Sequence, residues 1–197
     1  MKKVIFLDRD GVINRVVKDI NGIYDSPQTV EQVSLVKGIE NVIGWANRSG
    51  IKVVEITNQP AVAKGKMLMK TADAIEKKID SLLKEVNVRI DNKYICYHHP
   101  KGVVPVLTID CECRKPKPGL LIQAAKELDI DLSKSVFLGD RDWDVLAGKA
   151  VGCKTVLFLF KEDSPEKIKF AVESAADYKV WSLDKALTVI KGLITEN

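Results

Sequence analysis

The sequence predicts an α/β fold of three layers, in which helices cover both faces of a central parallel sheet. Short apolar runs rich in β-branched residues alternate along the chain with segments whose apolar residues recur at helical spacing. This spacing is typical of right-handed βαβ units, which build parallel sheets. The length of 197 residues, with 46% hydrophobic and 29% charged residues, indicates one folded domain over residues 1–197 and excludes a disordered chain.

The elements follow one another in a regular order. Strands are predicted at residues 3–7, 52–57, 94–97, 135–138 and 154–160. Helices are predicted at residues 38–48, 72–86, 117–128 and 143–151, with glycines next to several of their ends. Residues 100–116 form a long connection rich in Pro, Gly and Cys. After a polar turn at 161–167, two weakly amphipathic segments are expected to cover an edge of the sheet.

Charge and hydropathy exclude several classes of function. The net charge is +4, from 31 Lys and Arg against 27 Asp and Glu, and no basic block indicates nucleic-acid binding. No apolar stretch is long enough to span a membrane, and the first residues lack the pattern of a signal peptide. We therefore expect a cytoplasmic protein with a small anionic partner, no nucleic acid and no membrane. The oligomeric state cannot be inferred from the sequence.

Polar segments follow three of the predicted strands, where ligands bind in parallel sheets. They are DRDG at 8–11, TNQ at 57–59 and GDRDWD at 139–144. Carboxylates brought together at this edge suit Mg²⁺, which takes a few carboxylates together with water and phosphate oxygens. The alternative is that each acid only caps a helix or ends a strand; three such segments at one edge favour the metal site.

A fourth segment, RKPKPG at 114–119, places cations immediately before a predicted helix. Lys115 is interpreted as a phosphate-binding residue, and the alternative is an ordinary solvated lysine. A cation at a helix start opposes the helix dipole, so this placement favours a bound anion.

The four segments DRDG, ITNQ, RKPKPG and GDRDWD, in this order, resemble the motifs of the haloacid dehalogenase (HAD) superfamily of phosphohydrolases across residues 3–160. FLDRDGVIN, CYHHP and CECRKPKPG further resemble the zinc-containing D-glycero-D-manno-heptose 1,7-bisphosphate phosphatases and the related histidinol-phosphate phosphatases. The resemblance implies a Rossmann-like HAD fold and a Mg²⁺-dependent phosphatase. The spacing of the motifs leaves no room for a separate cap domain.

The resemblance also implies roles for individual residues. Asp8 would be the nucleophile that forms an aspartyl phosphate, and Asp10 the general acid and then base, with a raised pKa. Asp144 would lie just outside the metal's ligands. The implied phosphate-binding residues are Thr57, Asn58, Arg114 and Lys115. The implied Mg²⁺ ligands are Asp8, the Asp10 backbone carbonyl and Asp140.

Three of the four cysteines and both histidines fall within residues 96–113. Their spacing, C-x-H and then C-x-C, predicts a closed zinc site of Cys96, His98, Cys111 and Cys113 that would staple the long loop. His98 is preferred to His99 because the family pattern uses the first of the pair. The alternatives are unpaired reduced cysteines or a disulfide, and the expected cytoplasmic location opposes the disulfide.

The segment after TNQ departs from the heptose bisphosphate phosphatases, which generally continue with Ser-Gly-Ile-Ala-Arg-Gly. This chain has Pro60, Ala61 and Val62, and then Lys64 in place of arginine. The change leaves the reaction class intact and the substrate open. We predict a heptose bisphosphate, with histidinol phosphate or another small phosphosugar as alternatives. A zinc-stapled protein that binds a phosphosugar without turnover is the non-enzymatic alternative, and a polynucleotide 3′-phosphate is disfavoured because no basic groove is evident.

Overall fold

Six strands form one parallel sheet in the computed structural model, which describes residues 2–18, 22, 24–160, 169 and 173–195. The strands are β1 (Val4–Leu7), β4 (Lys52–Asn58), β5 (Asn92–Cys96), β6 (Val136–Gly139), β7 (Lys154–Phe158) and β8 (Tyr178–Val180). Their spatial order is β5-β4-β1-β6-β7-β8. In the chain, β1 and β4 are separated by a short antiparallel hairpin of β2 (Val17–Lys18) and β3 (Tyr24–Asp25), which forms a separate two-stranded sheet. The predicted α/β class with a central parallel sheet is confirmed.

Strand β1 lies between β4 and β6 and is buried along its whole length. The register pairs Phe6 with Val54 on one side and with Phe137 on the other. The rings of Phe6 and Phe137 meet edge to face at 6.3 Å, a favoured geometry for aromatic pairs. Parallel strands that are covered on both faces have continuous runs of apolar residues. The inner strands could therefore be predicted from the sequence.

Helices cover both faces of the sheet, which gives the three predicted layers. The described helices are α1 (Ile39–Arg48), α2 (Met69–Glu85), α3 (Gly119–Leu128), α4 (Asp142–Ala150) and α5 (Leu183–Thr195). One core cluster contains the buried faces of α1, α2 and α5. A second contains the buried residues of α3 together with Ala147 of α4. Apolar burial on both sides therefore fixes the sheet between two helical layers.

The prediction for the C-terminal part was wrong in the placement of its last segment, whereas the stretch directly after residue 167 lies mostly outside the described residues. Strand β8 does not cover the sheet edge but forms it, by pairing in parallel with β7. Helix α5 lies on one face of the sheet against α1, with Ala186, Ile190 and Ile194 buried. These residues recur every four positions and make a continuous apolar stripe, which a face can bury more fully than an edge. The polar turn at 161–167 lies outside the described residues.

Within the described part of the chain, the connections after β1, β4 and β5 contain no domain of their own. The connection from β1 to α1 holds the β2–β3 hairpin and a single turn of 3-10 helix at Val30–Gln32. The connection from β5 to α3 holds another such turn at Pro105–Leu107. Loops therefore border the site at the carboxyl edge of the sheet.

Among the described helices, none has both the length and the apolar character needed to cross a membrane.

Candidate active site

A cavity of about 330 Å³ opens at the carboxyl edge of the sheet. The residues predicted to bind phosphate or magnesium all line it, namely Asp8, Asp10, Thr57, Asn58, Arg114, Lys115 and Asp140. The hairpin, the loop at residues 60–66 and the start of α4 complete its wall. The topology explains this convergence, because β1, β4 and β6 are neighbours and end at the same edge.

Three buried carboxylates form an acidic cluster at the bottom of the site. Asp8, Asp140 and Asp144 are each at most 6% exposed, and their ligand atoms lie within 4.8 Å of one another. Burial together with the charge of Asp144 raises the pKa of Asp8 to about 8, although Lys115 opposes the shift. A divalent cation would relieve the repulsion between the three carboxylates. The oxygen donors therefore fit Mg²⁺.

The Lys115 ammonium is inserted into this acidic cluster. Its Nζ lies 2.7 Å from Asp8 Oδ1 and 2.6 Å from Asp144 Oδ1, and it donates a 2.8 Å hydrogen bond to the Ile56 carbonyl. Burial alone would lower the pKa of Lys115, but the two carboxylates raise it above its ordinary value. Lys115 does not oppose the dipole of α3 as predicted, because it precedes this helix by four residues and its charge is matched by Asp8 and Asp144.

The side chain of Asn58 holds the backbone at Lys115. Its Nδ2 donates to the Lys115 carbonyl at 3.0 Å, and its Oδ1 accepts from the Lys115 amide at 3.1 Å. This reciprocal pair joins the end of β4 to the segment before α3. The resemblance implied only that Asn58 would bind a phosphoryl oxygen, through its backbone amide. The side-chain role was missed because it depends on a contact across 57 residues.

Asp10 points its carboxylate away from the acidic cluster. It accepts hydrogen bonds from Gln59 Nε2 at 2.6 Å, from Asn14 Nδ2 at 2.9 Å and from the Arg9 guanidinium at 3.0 to 3.3 Å. Burial opposes ionisation, but Arg9 and these hydrogen bonds together lower the pKa of Asp10. The expectation of a raised pKa is therefore wrong. The reason is that Arg9, between two aspartates in sequence, turns inward beside Asp10.

Arg9 is the centre of a buried polar network that the sequence did not reveal. It is 2% exposed, and its NH1 lies 2.5 Å from Glu76 Oε1 while its NH2 donates to Gln59 Oε1 at 2.6 Å. Glu76 lies on α2 and also contacts Lys93 Nζ at 2.9 Å. The available signal was an arginine between two acids directly after a buried strand. Glu76 could not be predicted as the partner of Arg9, because a glutamate on an amphipathic helix is expected on the solvent-exposed face.

Glu55 lies in β4 beside this network and is fully buried. Among the residues that the structure describes, neither of its carboxylate oxygens has a hydrogen-bond partner, and the Lys93 Nζ is 3.9 Å from Oε2. Burial and the neighbouring Glu76 raise the pKa of Glu55 to about 8, against the opposing effect of Lys93 and Arg9. Burying a carboxylate that accepts no hydrogen bond is costly, so this group keeps its proton over much of the neutral range.

The raised pKa of Glu55 predicts a pH-dependent loss of stability. The folded protein binds this proton more tightly than the unfolded chain, so stability falls as the pH rises from about 4.5 to about 8. Glu55→Gln removes the titration. Between pH 6 and pH 8.5, the free energy of unfolding of the variant should rise relative to that of wild type by about 2 kcal/mol. This corresponds to roughly 4–8 °C in melting temperature. Melting curves measured at both pH values test this.

Glu85→Gln is the matched control, because Glu85 lies on the surface at the end of α2, where its carboxylate accepts from Ser81. This variant should show the same pH dependence as wild type. A Glu55→Gln protein whose stability falls with pH as steeply as that of wild type would contradict the account.

A second cluster gathers Cys96, His98, Cys111 and Cys113, all of whose ligand atoms lie within 4.8 Å of one another. Sulfur–sulfur distances are 3.1 to 3.6 Å, and His98 Nδ1 lies 3.3 Å from Cys113 Sγ. Ligand atoms held at about 2.3 Å around a tetrahedral zinc lie about 3.8 Å apart, so the four groups are already gathered slightly more closely than such a site requires. The cysteines form no disulfide. His99 is placed elsewhere, where its Nδ1 accepts from the Lys101 amide.

The loop that carries this second cluster borders the cavity. The amides of Val103 and Val104 both donate to the Ala63 carbonyl, at 2.7 and 3.1 Å, which joins the loop to residues 60–66. On its other side, Arg114 Nη1 donates to the His98 carbonyl at 3.4 Å. Two cavity residues are therefore linked to this loop, because Lys64 follows Ala63 in sequence and Arg114 contacts the loop at His98.

Gly11 allows the loop after β1 to approach the acidic cluster. Its φ is +92°, a conformation that favours glycine, and a Cβ at this position would lie 2.5 Å from Asp140 Oδ2. A side chain here would displace the Asp140 carboxylate. The DRDG motif thus needs its glycine for space as well as for backbone conformation.

Comparisons with known proteins agree on one family. The family model described as HAD-hydrolase-like matches residues 112–186. The D-glycero-alpha-D-manno-heptose-1,7-bisphosphate 7-phosphatase of Photorhabdus laumondii is 37% identical over 163 residues, which cover 83% of this chain and 85% of that protein. The D-glycero-beta-D-manno-heptose-1,7-bisphosphate 7-phosphatase of Pasteurella multocida is 34% identical, over 90% of this chain and 95% of its own length.

Solved structures extend this similarity to the fold. The D,D-heptose 1,7-bisphosphate phosphatase of B. bronchiseptica, solved with magnesium and phosphate, superposes with a TM-score of 0.78. It is 26% identical and covers 99% of each chain. A HAD-like phosphatase structure from Mesorhizobium loti gives a TM-score of 0.80 at 33% identity, covering 98% of this chain and 87% of that one. The similarity therefore includes every element that borders the cavity.

Proposed function

Since the chain belongs to the HAD-like phosphatases, in the family of the D-glycero-D-manno-heptose-1,7-bisphosphate 7-phosphatases, we propose that it hydrolyses one phosphate ester of a heptose 1,7-bisphosphate. The observation that carries the proposal is the Asp8 carboxylate, held 2.7 Å from the buried Lys115 ammonium in a cavity that Asp10 and Thr57 also line. A nucleophile, an acid–base group and phosphate-binding donors are thereby within reach of one small substrate.

The reaction proceeds in two displacements. An oxygen of Asp8 attacks phosphorus while the bond from phosphorus to the sugar oxygen breaks, and Asp10 donates a proton to the leaving oxygen. Water then attacks the aspartyl phosphate with Asp10 accepting its proton, which releases inorganic phosphate and restores Asp8. A phosphate dianion next to Asp10 opposes ionisation of its carboxyl and so favours the protonated acid that the first step needs.

Fixed donors hold the transferring group. Thr57, the Asn58 backbone amide and the Lys115 ammonium are the proposed partners of the phosphoryl oxygens, where negative charge is carried in the transition state. Mg²⁺ would be held by Asp8, the Asp10 carbonyl and Asp140, with Asp144 close by, and it would supply charge neutralisation for the phosphoryl group. Lys115 exchanges part of its pairing with Asp8 for the phosphoryl group when substrate binds.

Charges around the cavity favour a substrate with a second anionic group. Lys64 and Arg114 line its wall, Arg141 on the same wall is paired with Asp140 at 3.4 Å, and the carboxylate of Asp25 there is paired with Lys66 at 3.3 Å. A second phosphate would be attracted by these cations, whereas the ammonium of histidinol phosphate would be repelled. The electrostatics therefore support a bisphosphate over histidinol phosphate.

A substrate panel tests the proposal. Phosphate release is measured with both anomers of the heptose 1,7-bisphosphate, with histidinol phosphate and with p-nitrophenyl phosphate, each with Mg²⁺. The expected result is the highest kcat/KM for one heptose anomer. A higher kcat/KM for histidinol phosphate would replace the substrate assignment, and binding of the bisphosphate without turnover would support the non-enzymatic alternative.

We also propose that Cys96, His98, Cys111 and Cys113 hold a structural zinc. Four protein ligands close the coordination sphere, so this site is suited to hold the loop in place and has no position for substrate. Arg114 follows Cys113 directly and contacts the loop at His98. Lys115 has independent anchors in Asn58, Asp8 and Asp144. Loss of the metal should therefore displace Arg114 more than Lys115.

Removing one ligand by Cys113→Ser is expected to abolish stoichiometric zinc and to lower kcat/KM for the heptose bisphosphate by about 100-fold, because a misplacement of about 1 Å has effects of this size. The loss for p-nitrophenyl phosphate, which has no second phosphate for Arg114, should be much smaller. Elemental analysis and steady-state kinetics measure both effects. Cys153→Ala is the matched control, since Cys153 is buried but does not belong to the Cys/His cluster, and the variant should keep one zinc per chain. Equal losses on both substrates with the fold preserved would refute the positional role.

A further inference from the structure

The Arg9 guanidinium links the proposed acid–base residue to the interior of the domain. On one side it contacts both carboxylate oxygens of Asp10, with NH2 at 3.1 Å from Oδ1 and 3.0 Å from Oδ2. On the other side its NH1 lies 2.5 Å from Glu76 Oε1. Asp10, Arg9 and Glu76 therefore form one continuous buried chain from the cavity to helix α2.

Glu76 determines where this guanidinium lies. Gln59 also accepts from Arg9 at 2.6 Å, but it is neutral and donates to Asp10 itself. Glu76 is the charged partner on the far side of Arg9, it is 9% exposed, and it is fixed by Lys93 at 2.9 Å through its second oxygen. Charge-assisted contacts of this kind hold a side chain more tightly than neutral ones.

We propose that Glu76 is a positioning residue for acid–base catalysis, which acts by fixing Arg9 and through it the carboxylate of Asp10. The proposal rests on the assignment of Asp10 as the general acid and base. Its physical basis is that proton transfer requires hydrogen-bond geometry between acid and leaving oxygen, so a small loss of order at Asp10 is felt in the rate. Asp10 lies at 14% side-chain exposure at the cavity, where solvent would otherwise compete for its orientation.

The distinguishing consequence is a change in leaving-group dependence. A group that leaves as a stable anion needs little acid assistance, whereas a poor leaving group needs it fully. Glu76→Gln keeps the size of the side chain and removes its charge. We expect kcat/KM for an alkyl phosphate to fall about 10-fold, with less than about 2-fold loss for p-nitrophenyl phosphate. The slope of log kcat/KM against leaving-group pKa should become steeper.

The experiment uses the full-length protein with a series of aryl and alkyl phosphates. The quantity kcat/KM is chosen because it reports the steps through departure of the alcohol. Asp80→Asn is the matched control: Asp80 lies one helical turn after Glu76, and its Oδ1 contacts Lys93 at 2.7 Å without an ion pair to Arg9. This control should keep the wild-type slope.

Glu76→Asp is a second test variant for the same series, because it keeps the negative charge and moves it one methylene farther from Arg9. Its slope should lie between wild type and Glu76→Gln, and it decides the matter if Glu76→Gln does not fold as judged by circular dichroism. A uniform loss across the series, or a wild-type slope in the folded variants, would overturn the proposal. Because the series contains no heptose, failure of the substrate assignment leaves the test intact, and an inactive wild type would instead refute the phosphatase function.

Discussion

Asp8→Asn is expected to lower kcat by more than about 100-fold on every phosphate ester, because the amide has nearly the shape of the carboxylate and cannot act as the nucleophile. Phosphate release under saturating substrate measures the effect. The fold should be retained, since Lys115 keeps Asp144 and the Ile56 carbonyl as partners. Zinc content should be unchanged.

The same variant should be at least as stable as wild type when no magnesium is added. Burial and Asp144 raise the pKa of Asp8 to about 8, so ionisation of this group opposes folding as the pH rises toward that value. Neutralising it removes part of the repulsion in the acidic cluster. Asp142→Asn is the control, since Asp142 lies between Asp140 and Asp144 in sequence but does not line the cavity, and it should keep most of the activity. Residual activity of Asp8→Asn above a hundredth of wild type would exclude Asp8 as the nucleophile.

The inner sheet was predictable from the sequence because burial on both faces leaves a continuous apolar run. Residues 3–7 and 135–138 were assigned within one residue of β1 and β6. Strand β8 had no such signal, because Tyr178 and Lys179 are exposed at the sheet edge and only Val180 is buried. An edge strand of three residues is specified by its partner strand more than by its own pattern. Its neighbour α5 carried a clear apolar stripe, but that stripe does not say which surface it covers.

The convergence of the site was predictable for a different reason. In a parallel sheet the residues after neighbouring strands must meet at one edge, so Asp8, Thr57 and Asp140 could be grouped before any distance was known. The direction of each side chain could not be predicted in this way. The side chain of Asp8 belongs to the acidic cluster, whereas that of Asp10, two residues later, faces Arg9. That difference comes from contacts with α2, which lies more than 60 residues along the chain.

Asp10→Asn tests this division between the two aspartates most directly. We expect kcat/KM to fall by several orders of magnitude for a sugar phosphate and by much less for p-nitrophenyl phosphate, whose leaving group needs little protonation. Kinetics on the two substrates in parallel measure the ratio. An equal loss on both would contradict the assignment of Asp10 as the general acid.

The effect of Asp10→Asn on stability should be opposite to that of Asp8→Asn. Arg9, Gln59 and Asn14 outweigh burial and lower the pKa of Asp10, so its ionised form stabilises the fold above the ordinary pKa of an aspartate. The variant leaves the buried Arg9 without this charge and turns an amide donor toward other donors, which costs about 1–3 kcal/mol. Melting curves at pH 7 should therefore show a lower melting temperature for Asp10→Asn and no decrease for Asp8→Asn. If both variants shifted in the same direction, the two carboxylates would not occupy the opposite electrostatic environments that the structure gives them.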